Sequence, residues 1–417
     1  MKMISNQYLK GFIYGSFFRN VSALSVSEII IRFSKFILIA YAARILGPND
    51  FGLFNYALAL AALIAVLGDF GINKIITRNI SKDETMSQYY LGSFMAQVIV
   101  ITFYILVGSG FLYFTADPRL TLLFLILALF SGGNILGDYL WSFFRARQTM
   151  VLEAIGKTVQ ALLALVVGVI LLKSSIPLYG LALSYAIAAF ATLTMAIWGI
   201  QAKLSLKPFI ISWKSWRELL TQSWPIAIVA VSAFVFNEVD SIMLGAAGYV
   251  REVGYYNAAY KIVSGLLIPA FIINQVVYPK FAASPSRNKL VKKNFIANLI
   301  IYSFFLVLVI YFARPIIVTI YGQEYISAVR PLIILCIATV ASALVIPLAN
   351  YSIAMNQLKI NLWLSVSAAI LNIVLNFVLI PPLLSVGAAV ATTVTYLFLL
   401  IGYSMTWYRL GSYSETN

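Results

Sequence analysis

The sequence predicts an all-α integral membrane protein, and three observations carry that prediction. Hydrophobic residues make up 62% of the 417 residues and charged residues 10%, against about 45–50% and about 25% in soluble domains. The apolar residues run unbroken for about 20 positions at a time, the length of a helix that crosses about 30 Å of hydrocarbon. The 29 Lys and Arg outnumber the 14 Asp and Glu for a net charge of +15, and most of them fall between those runs. Unbroken runs argue against a β-barrel, whose strands alternate apolar with polar residues. Cys336 is the single cysteine, which excludes a disulfide scaffold, and the absence of histidine removes most metal and imidazole catalysis. The basic excess is dispersed over loops, so it reads as membrane topology and not as nucleic-acid binding.

Residues 1–20 set Lys2, Lys10 and Arg19 among aromatics without a continuous apolar core, which predicts an interfacial amphipathic segment instead of a signal peptide. Twelve spans follow, at about 24–44, 53–77, 91–114, 120–142, 155–172, 177–200, 225–247, 255–279, 295–313, 331–355, 362–380 and 386–408. Lys173 and Pro177 crowd the fifth against the sixth and demand a tight outer turn. With the N-terminus inside, 20 basic residues lie on inner segments and 6 on outer ones, and Arg32, Lys35 and Lys261 lie within spans. This bias sets both termini in the cytoplasm, and all seven Trp fall in or beside inner segments.

The basic stretch 203–224 carries Lys203, Lys207, Lys214 and Arg217 with Trp213 and Trp216. It divides the chain into an N-terminal six-helix bundle, 1–202, a cytoplasmic linker, and a C-terminal six-helix bundle, 225–417. Six is even, so the halves are parallel repeats. Gly52-Leu-Phe-Asn-Tyr-Ala57 after the first span matches Gly254-Tyr-Tyr-Asn-Ala-Ala259 after the seventh, and the last span of each half opens on Gly180 or Gly387.

Charges inside spans need a cavity, a partner or a task. Glu28, Arg32 and Lys35 fall within about 60° of one helix face. Glu28 can neutralise Arg32, which leaves Lys35 positive. Two readings follow: a cationic cavity wall for an anionic substrate, joined by Lys261, or an interhelical salt-bridge cluster. Glu238 and Asp240 are about 200° apart around the seventh span, so one lines the cavity as a cation or proton site and the other pairs elsewhere. Asp69 with Asn73, and Asp138, sit near inner ends and read as capping or loop-bonding groups. Asn372 and Asn376 share a face of the eleventh span, with Thr392 and Thr393 on the twelfth. Together with Asp240 these oxygens suit Na⁺, and interhelical hydrogen bonding is the alternative. Pro269 and Pro347 predict kinks in the eighth and tenth spans. Gly156-Lys157-Thr158 imitates the end of a phosphate-binding loop, but Val151 stands where its first Gly belongs and no strand precedes it. No cofactor motif is present, and the short loops argue against an enzyme.

These residues resemble the polysaccharide-transport membrane proteins, the Wzx-type O-antigen flippases. The resemblance rests on Ala43-Arg44-Ile-Leu-Gly47-Pro48-Asn-Asp-Phe51-Gly52-Leu-Phe, on Asp240-Ser-Ile-Met-Leu244, and on Glu252-Val-Gly254-Tyr-Tyr-Asn-Ala-Ala259-Tyr-Lys261. It continues through Tyr321-Gly322-Gln-Glu-Tyr325, Asn372-Ile-Val-Leu-Asn376, Ile380-Pro381 and Gly387-Ala-Ala389. The resemblance implies the multidrug/oligosaccharidyl-lipid/polysaccharide (MOP) exporter superfamily, with its two six-helix bundles in a V around a central cavity. The implied substrate is an oligosaccharide on undecaprenyl diphosphate, flipped across the bacterial inner membrane by alternating access without any bond being made or broken. Arg32, Lys35 and Lys261 would hold the diphosphate while the polyprenyl tail stays in lipid. Glu28, Glu238 and Asp240 are the cavity acids. A related family of lipid-linked peptidoglycan precursor flippases implies ion coupling at positions matching Asp240, Asn372, Asn376 and Thr392. That family often has a further carboxylate where this chain has Asn376, which leaves H⁺ and Na⁺ both open. Polysaccharide polymerase and assembly proteins are the implied partners. The competing functions are a cation-coupled multidrug exporter of the same superfamily and a membrane O-antigen polymerase or ligase.

Overall fold

The computed structural model describes the backbone of residues 2–204, 211–270, 273, 274 and 287–414, and side chains from 26 to 410 within those limits except at 287. Helix is the regular structure throughout these residues. In chain order the helices are α1 (Lys2–Asp69), α2 (Ile72–Lys82), α3 (Met86–Leu91), α4 (Phe94–Thr115), α5 (Pro118–Ala146), α6 (Val151–Leu171) and α7 (Pro177–Leu204). Then come α8 (Trp213–Ala246), α9 (Val250–Leu266), α10 (Arg287–Tyr321), a 3-10 turn (Gln323–Ala328), α11 (Val329–Ala354), α12 (Leu358–Leu383) and α13 (Ser385–Ser414).

Ten helical stretches among the described residues are long and apolar enough to cross a membrane. The number differs from twelve at two places. The first two expected spans merge into one stretch, Val26–Lys82, because α1 continues through a kink at Gly47 (φ 67°, ψ 172°). Gly47 adopts this left-handed φ without a Cβ penalty, and Pro48 starts the second arm, where its missing N–H is an orphan in any case. The eighth expected span, 255–279, reaches into 271, 272 and 275–279, outside the described residues, and α9 accounts for its first part. The side chains of the proposed interfacial segment, 1–20, also lie outside the described residues.

The chain forms two compact units, one of residues 1–45 and 60–230, the other of residues 46–59 and 231–417. In the first unit α2 is amphipathic: Ile72, Ile75, Ile76 and Ile80 are all buried. They pack with Tyr139, Trp141, Phe143 and Phe144 of α5, with Leu193 and Ile200 of α7, and with Leu219. The start of α8 is part of this packing, so residues 213–224 of the basic stretch are helical and 205–210 lie outside the described residues. Ser215, Leu219 and Ser223 recur every four residues and are fully buried. Trp216 Nε1 donates to Gln97 Oε1 (2.7 Å), Tyr89 Oη to Glu218 (2.8 Å) and Arg78 to Gln222 (3.0 Å).

In the second unit the repeat found in the sequence is a physical contact. The second arm of α1 crosses α9 with Gly52 and Gly254 at the crossing. A Cβ built on Gly52 would lie 1.9 Å from the Val250 carbonyl oxygen, and one on Gly254 would lie 2.0 Å from the Pro48 carbonyl oxygen. Each glycine therefore meets the carbonyl four residues before the other. Backbones that approach this closely gain dispersion and Cα–H···O contact that any side chain would abolish. Gly180 and Gly387 match in the same sense. A Cβ there would meet the Leu171 oxygen at 2.8 Å and the Leu379 oxygen at 2.1 Å respectively, which closes the α6–α7 and α12–α13 hairpins.

The two prolines behave differently from each other. Pro347 lies inside α11, which continues to Ala354. Pro269 follows a break instead, because α9 ends at Leu266 and residues 268–270 are helical again. Its ring would clash with the carbonyl four residues earlier. Tyr302 Oη satisfies the break: it donates to Leu266 O (3.1 Å) and accepts from Ala270 N (2.9 Å).

The glycine crossing sets a test. Gly52→Ala and Gly254→Ala should each lower stability by about 1–3 kcal/mol through overpacking, read as earlier thermal unfolding in detergent. Gly110→Ala, where a Cβ meets nothing within 4 Å, should leave the transition in place.

Candidate functional site

Two polar centres among the described residues bear on the expected site, one in each unit. The first unit encloses a cavity of about 310 Å³. Glu28 and Lys35 line it from α1, Asn134 and Asp138 from α5, Lys157 and Gln160 from α6, and Tyr185 and Thr192 from α7. Helical spacing does the positioning. Lys35 is two turns beyond Glu28, Asp138 one turn beyond Asn134, and Glu153 one turn before Lys157. The short connection from α5 to α6, with Gln148 in the left-handed region (φ 55°), turns the two helices so that their charges meet.

Those charges form a network. Lys157 Nζ is 2.9 Å from Glu153 and 3.0 Å from Asp138. Arg145 is 2.7 Å from Glu153 and 3.9 Å from Asp138, and it also donates to the Asp138 carbonyl (2.9 Å). Two cations and two carboxylates therefore balance, as a low-dielectric site requires. The carboxylates differ in access: the Glu153 side chain is 4% exposed and that of Asp138 40%. Asp138 is thus an ion-pair partner and not the capping or loop-bonding group that its place near a helix end predicted. Asp69 does act locally, accepting the Gly71 N–H (3.2 Å). Gln160 Nε2 donates to Asn134 Oδ1 (2.6 Å) on the cavity wall. The indole N–H of Trp141, which also lines the cavity, has no hydrogen-bond partner among the described residues.

The sequence-predicted residues divide around this cavity. Lys35 and Glu28 line it. Arg32 does not; its Nε pairs with Glu28 at 3.2 Å, and both side chains are exposed. Lys157, grouped by sequence with the inner topological anchors, is the cation that sequence reasoning missed. Its signal was present as Glu153 and Lys157 at i, i+4 beside an apolar run.

The second centre lies in the second unit around Asp240, which is 1% exposed. Asp240 on α8 accepts hydrogen bonds from Tyr256 Oη, from Thr392 Oγ1 (2.7 Å) and from Asn376 Nδ2 (2.5 Å). Asn376 Nδ2 also donates to Asn372 Oδ1 (3.2 Å). The four residues expected to converge do so, brought from α8, α12 and α13. Tyr256 of α9 is an addition that sequence spacing did not single out, although it lies in the repeated segment. Asn376 Oδ1 is buried without a hydrogen-bond partner among the described residues, on the same amide whose nitrogen holds the Asp240 carboxyl. Glu238 takes the other side of α8, within electrostatic reach of Lys261, as the 200° separation requires. Thr393 bonds instead to the carbonyls of Ile334 (3.1 Å) and Ala389 (2.7 Å).

The buried pairs predict a graded response. Glu153→Gln should lower stability by about 1–3 kcal/mol, because Arg145 loses its closest carboxylate while Lys157 keeps Asp138. Asp138→Asn, at an exposed carboxylate, should lower it by less than about 1 kcal/mol. Thermal unfolding of the two variants side by side measures the difference.

Comparison with known proteins adds four findings. The family described as polysaccharide biosynthesis protein matches residues 17–285. The chain is 25% identical over 380 residues to "Probable low-salt glycan biosynthesis flippase Agl15" of Haloferax volcanii, covering 87% of this chain and 77% of that protein. Among solved structures it resembles the lipid II flippase MurJ in an inward closed conformation, with TM-score 0.71, 15% identity, and 91% of this chain and 87% of that one covered. An inward-facing multidrug resistance transporter of the MATE family in the MOP superfamily matches with TM-score 0.69, 14% identity, and 94% and 99% coverage. These two likenesses establish the fold.

Proposed function

The chain belongs to the polysaccharide biosynthesis protein family, and from that premise we propose that it flips polyprenyl-diphosphate-linked oligosaccharides across the bacterial inner membrane. One observation carries the reading: a cavity inside a membrane-spanning bundle presents Lys35 and Lys157 together with hydrogen-bonding amides. An ionised diphosphate cannot enter hydrocarbon bare. The two ammonium groups replace its water, and Asp138, the accessible carboxylate on Lys157, yields its place to the incoming anion. Asn134, Gln160 and the indole of Trp141 suit sugar hydroxyls. Arg32 pairs with Glu28 outside the cavity and Lys261 lies within reach of Glu238 in the other unit, so the reading rests on Lys35 and Lys157. The work is transport, so no bond is made or broken. Both termini face the cytoplasm on the positive-inside argument, and the flipped unit passes to polymerase and assembly proteins on the far side. An organic-cation exporter would want a net acidic cavity, whereas Lys35 and Lys157 offset Glu28 and Asp138 on this one's wall.

The Asp240 centre supplies coupling. Its two carboxylate oxygens, Asn372 Oδ1, Asn376 Oδ1, Thr392 Oγ1 and Tyr256 Oη are six oxygens of the kind a small hard cation takes. The orphan Asn376 oxygen fits either Na⁺ or a proton held on Asp240. Binding there would neutralise a carboxylate buried among three donors and so bias one conformation over another.

Liposomes bearing a fluorescent polyprenyl-diphosphate oligosaccharide test the reading. The wild type should expose the lipid in the opposite leaflet and leave a cationic dye unmoved. Lys35→Gln with Lys157→Gln should slow flipping at least about tenfold while membrane insertion is retained. Dye movement without lipid movement would sink the proposal. For coupling, dissipating the Na⁺ or the H⁺ gradient should slow the wild type, and Asp240→Asn should make the remaining rate independent of both.

A further inference from the structure

Two hollows in the first unit share one wall. The charged cavity draws Glu28 and Lys35 from α1 and Lys157 and Gln160 from α6. A second hollow, a groove of about 430 Å³, is lined by Val26, Ser27 and Ile30 of the same α1 and by Ala154, Ile155 and Thr158 of the same α6. Sequence neighbours line opposite sides. Ser27 belongs to the groove and Glu28 to the cavity; Thr158 belongs to the groove and Lys157 to the cavity. The hollows therefore overlap along the two helices, at residues 27–31 and 157–159, with the α1–α6 seam between them.

The two sides differ in chemistry. The groove is apolar and open, and Val26 and Ile155 are 57% and 49% exposed there. At this level the seam is closed by hydroxyl groups. Ser27 Oγ donates to Ala154 O (3.0 Å), and the one proton of Thr158 Oγ1 is within reach of Ser27 Oγ (2.9 Å) or Ala154 O (2.8 Å). Farther along, Leu38 packs onto Gly168, where a Cβ would meet its Cδ1 at 2.7 Å. The hydroxyl closure parts at low cost. Thr158 keeps its bond to a carbonyl of its own helix, and Ser27 can turn back to the carbonyl four residues before it.

We infer that the α1–α6 seam at Ser27 is the passage for the isoprenoid chain of the substrate, which lies in the groove while its diphosphate lies in the cavity. The inference rests on the reading of the substrate as a polyprenyl diphosphate. In such a lipid one ester bond joins the anion to the first isoprene unit. The charged pocket and the apolar groove must then lie within one helix wall of each other, as these two do. The seam sets the point at which the neck crosses, and the Ser27 and Thr158 hydroxyls reclose it when the chain has left.

The hydroxyl oxygens of Ser27 and Thr158 are 2.9 Å apart, so Ser27→Cys with Thr158→Cys brings two sulfurs near bonding range. Cys336 is buried, which confines oxidation to the introduced pair. In liposomes the oxidised double variant should flip a fluorescent undecaprenyl-diphosphate disaccharide at least about tenfold more slowly and recover on reduction. It should still bind a water-soluble short-chain diphosphate disaccharide as tightly as the reduced form. Equal flipping in the two redox states overturns the passage. Loss of short-chain binding overturns it too, since the lock would then act on the cavity. A reduced variant and a wild type that both leave the lipid unmoved overturn the flippase reading itself, and the passage with it. A photo-reactive side chain at Ile155 gives a measurement that needs no disulfide. It should label undecaprenyl diphosphate and be relieved by excess unlabelled lipid diphosphate. Labelling governed instead by phosphatidylglycerol would assign the groove to bulk lipid and overturn the inference.

Discussion

A charge taken out of water must be met by an opposite charge or by hydrogen bonds, and in a bundle that spans hydrocarbon the requirement admits few solutions. The polar architecture of this protein follows from it. In the first unit Arg145 and Lys157 are balanced by Glu153 and Asp138 across a single helical connection. In the second unit a lone carboxylate, Asp240, is met by neutral donors from two residues of α12 and α13 and from Tyr256 of α9. One centre is a network of ion pairs and the other a single carboxyl held by neutral hydrogen-bond donors.

Close backbone approach is the second organising constraint. Lipid offers no hydrophobic drive between apolar helices, so association depends on packing detail and on buried polar bonds. The Gly52–Gly254 crossing uses the first means: two repeat-related glycines each sit on the other helix's carbonyl. The Ser27–Thr158–Ala154 seam uses the second. The contrast is physical. A backbone crossing with no room for a Cβ admits little movement, whereas a hydroxyl bridge can part and find its partners again on its own helix.

The division of labour within single helices is equally consequential. On α6, Thr158 and Lys157 are adjacent in sequence and line different hollows. On α8, Glu238 and Asp240 lie two apart, and one adjoins Lys261 while the other is buried in its hydrogen-bond knot. Rotation of 100° per residue is all that separates these roles. A substitution at one position of such a pair therefore leaves the other's surroundings in place.

Much of this was determined by the sequence alone. Apolar runs of spanning length, the basic bias between them and the paired Gly-x-x-Asn-x-Ala segments depend on local composition and on a period that survives without coordinates. Convergence of Asp240 with Asn372, Asn376 and Thr392 was legible too, because a polar residue in a span has few places to go. What tertiary structure decided is which charges meet. Arg32 lies one turn before Lys35 yet stays out of the cavity, since its partner Glu28 holds it at the exposed side. Lys157 reads as a topological anchor until α5 and α6 are folded together and Asp138 and Glu153 close on it. The kink at Gly47 and the end of α9 before Pro269 likewise depend on what packs beside them: the close crossing at Gly52, and the hydroxyl of Tyr302. Periodicity gives the face that a residue occupies on its own helix. The partner on that face belongs to another helix, and only folding brings it there.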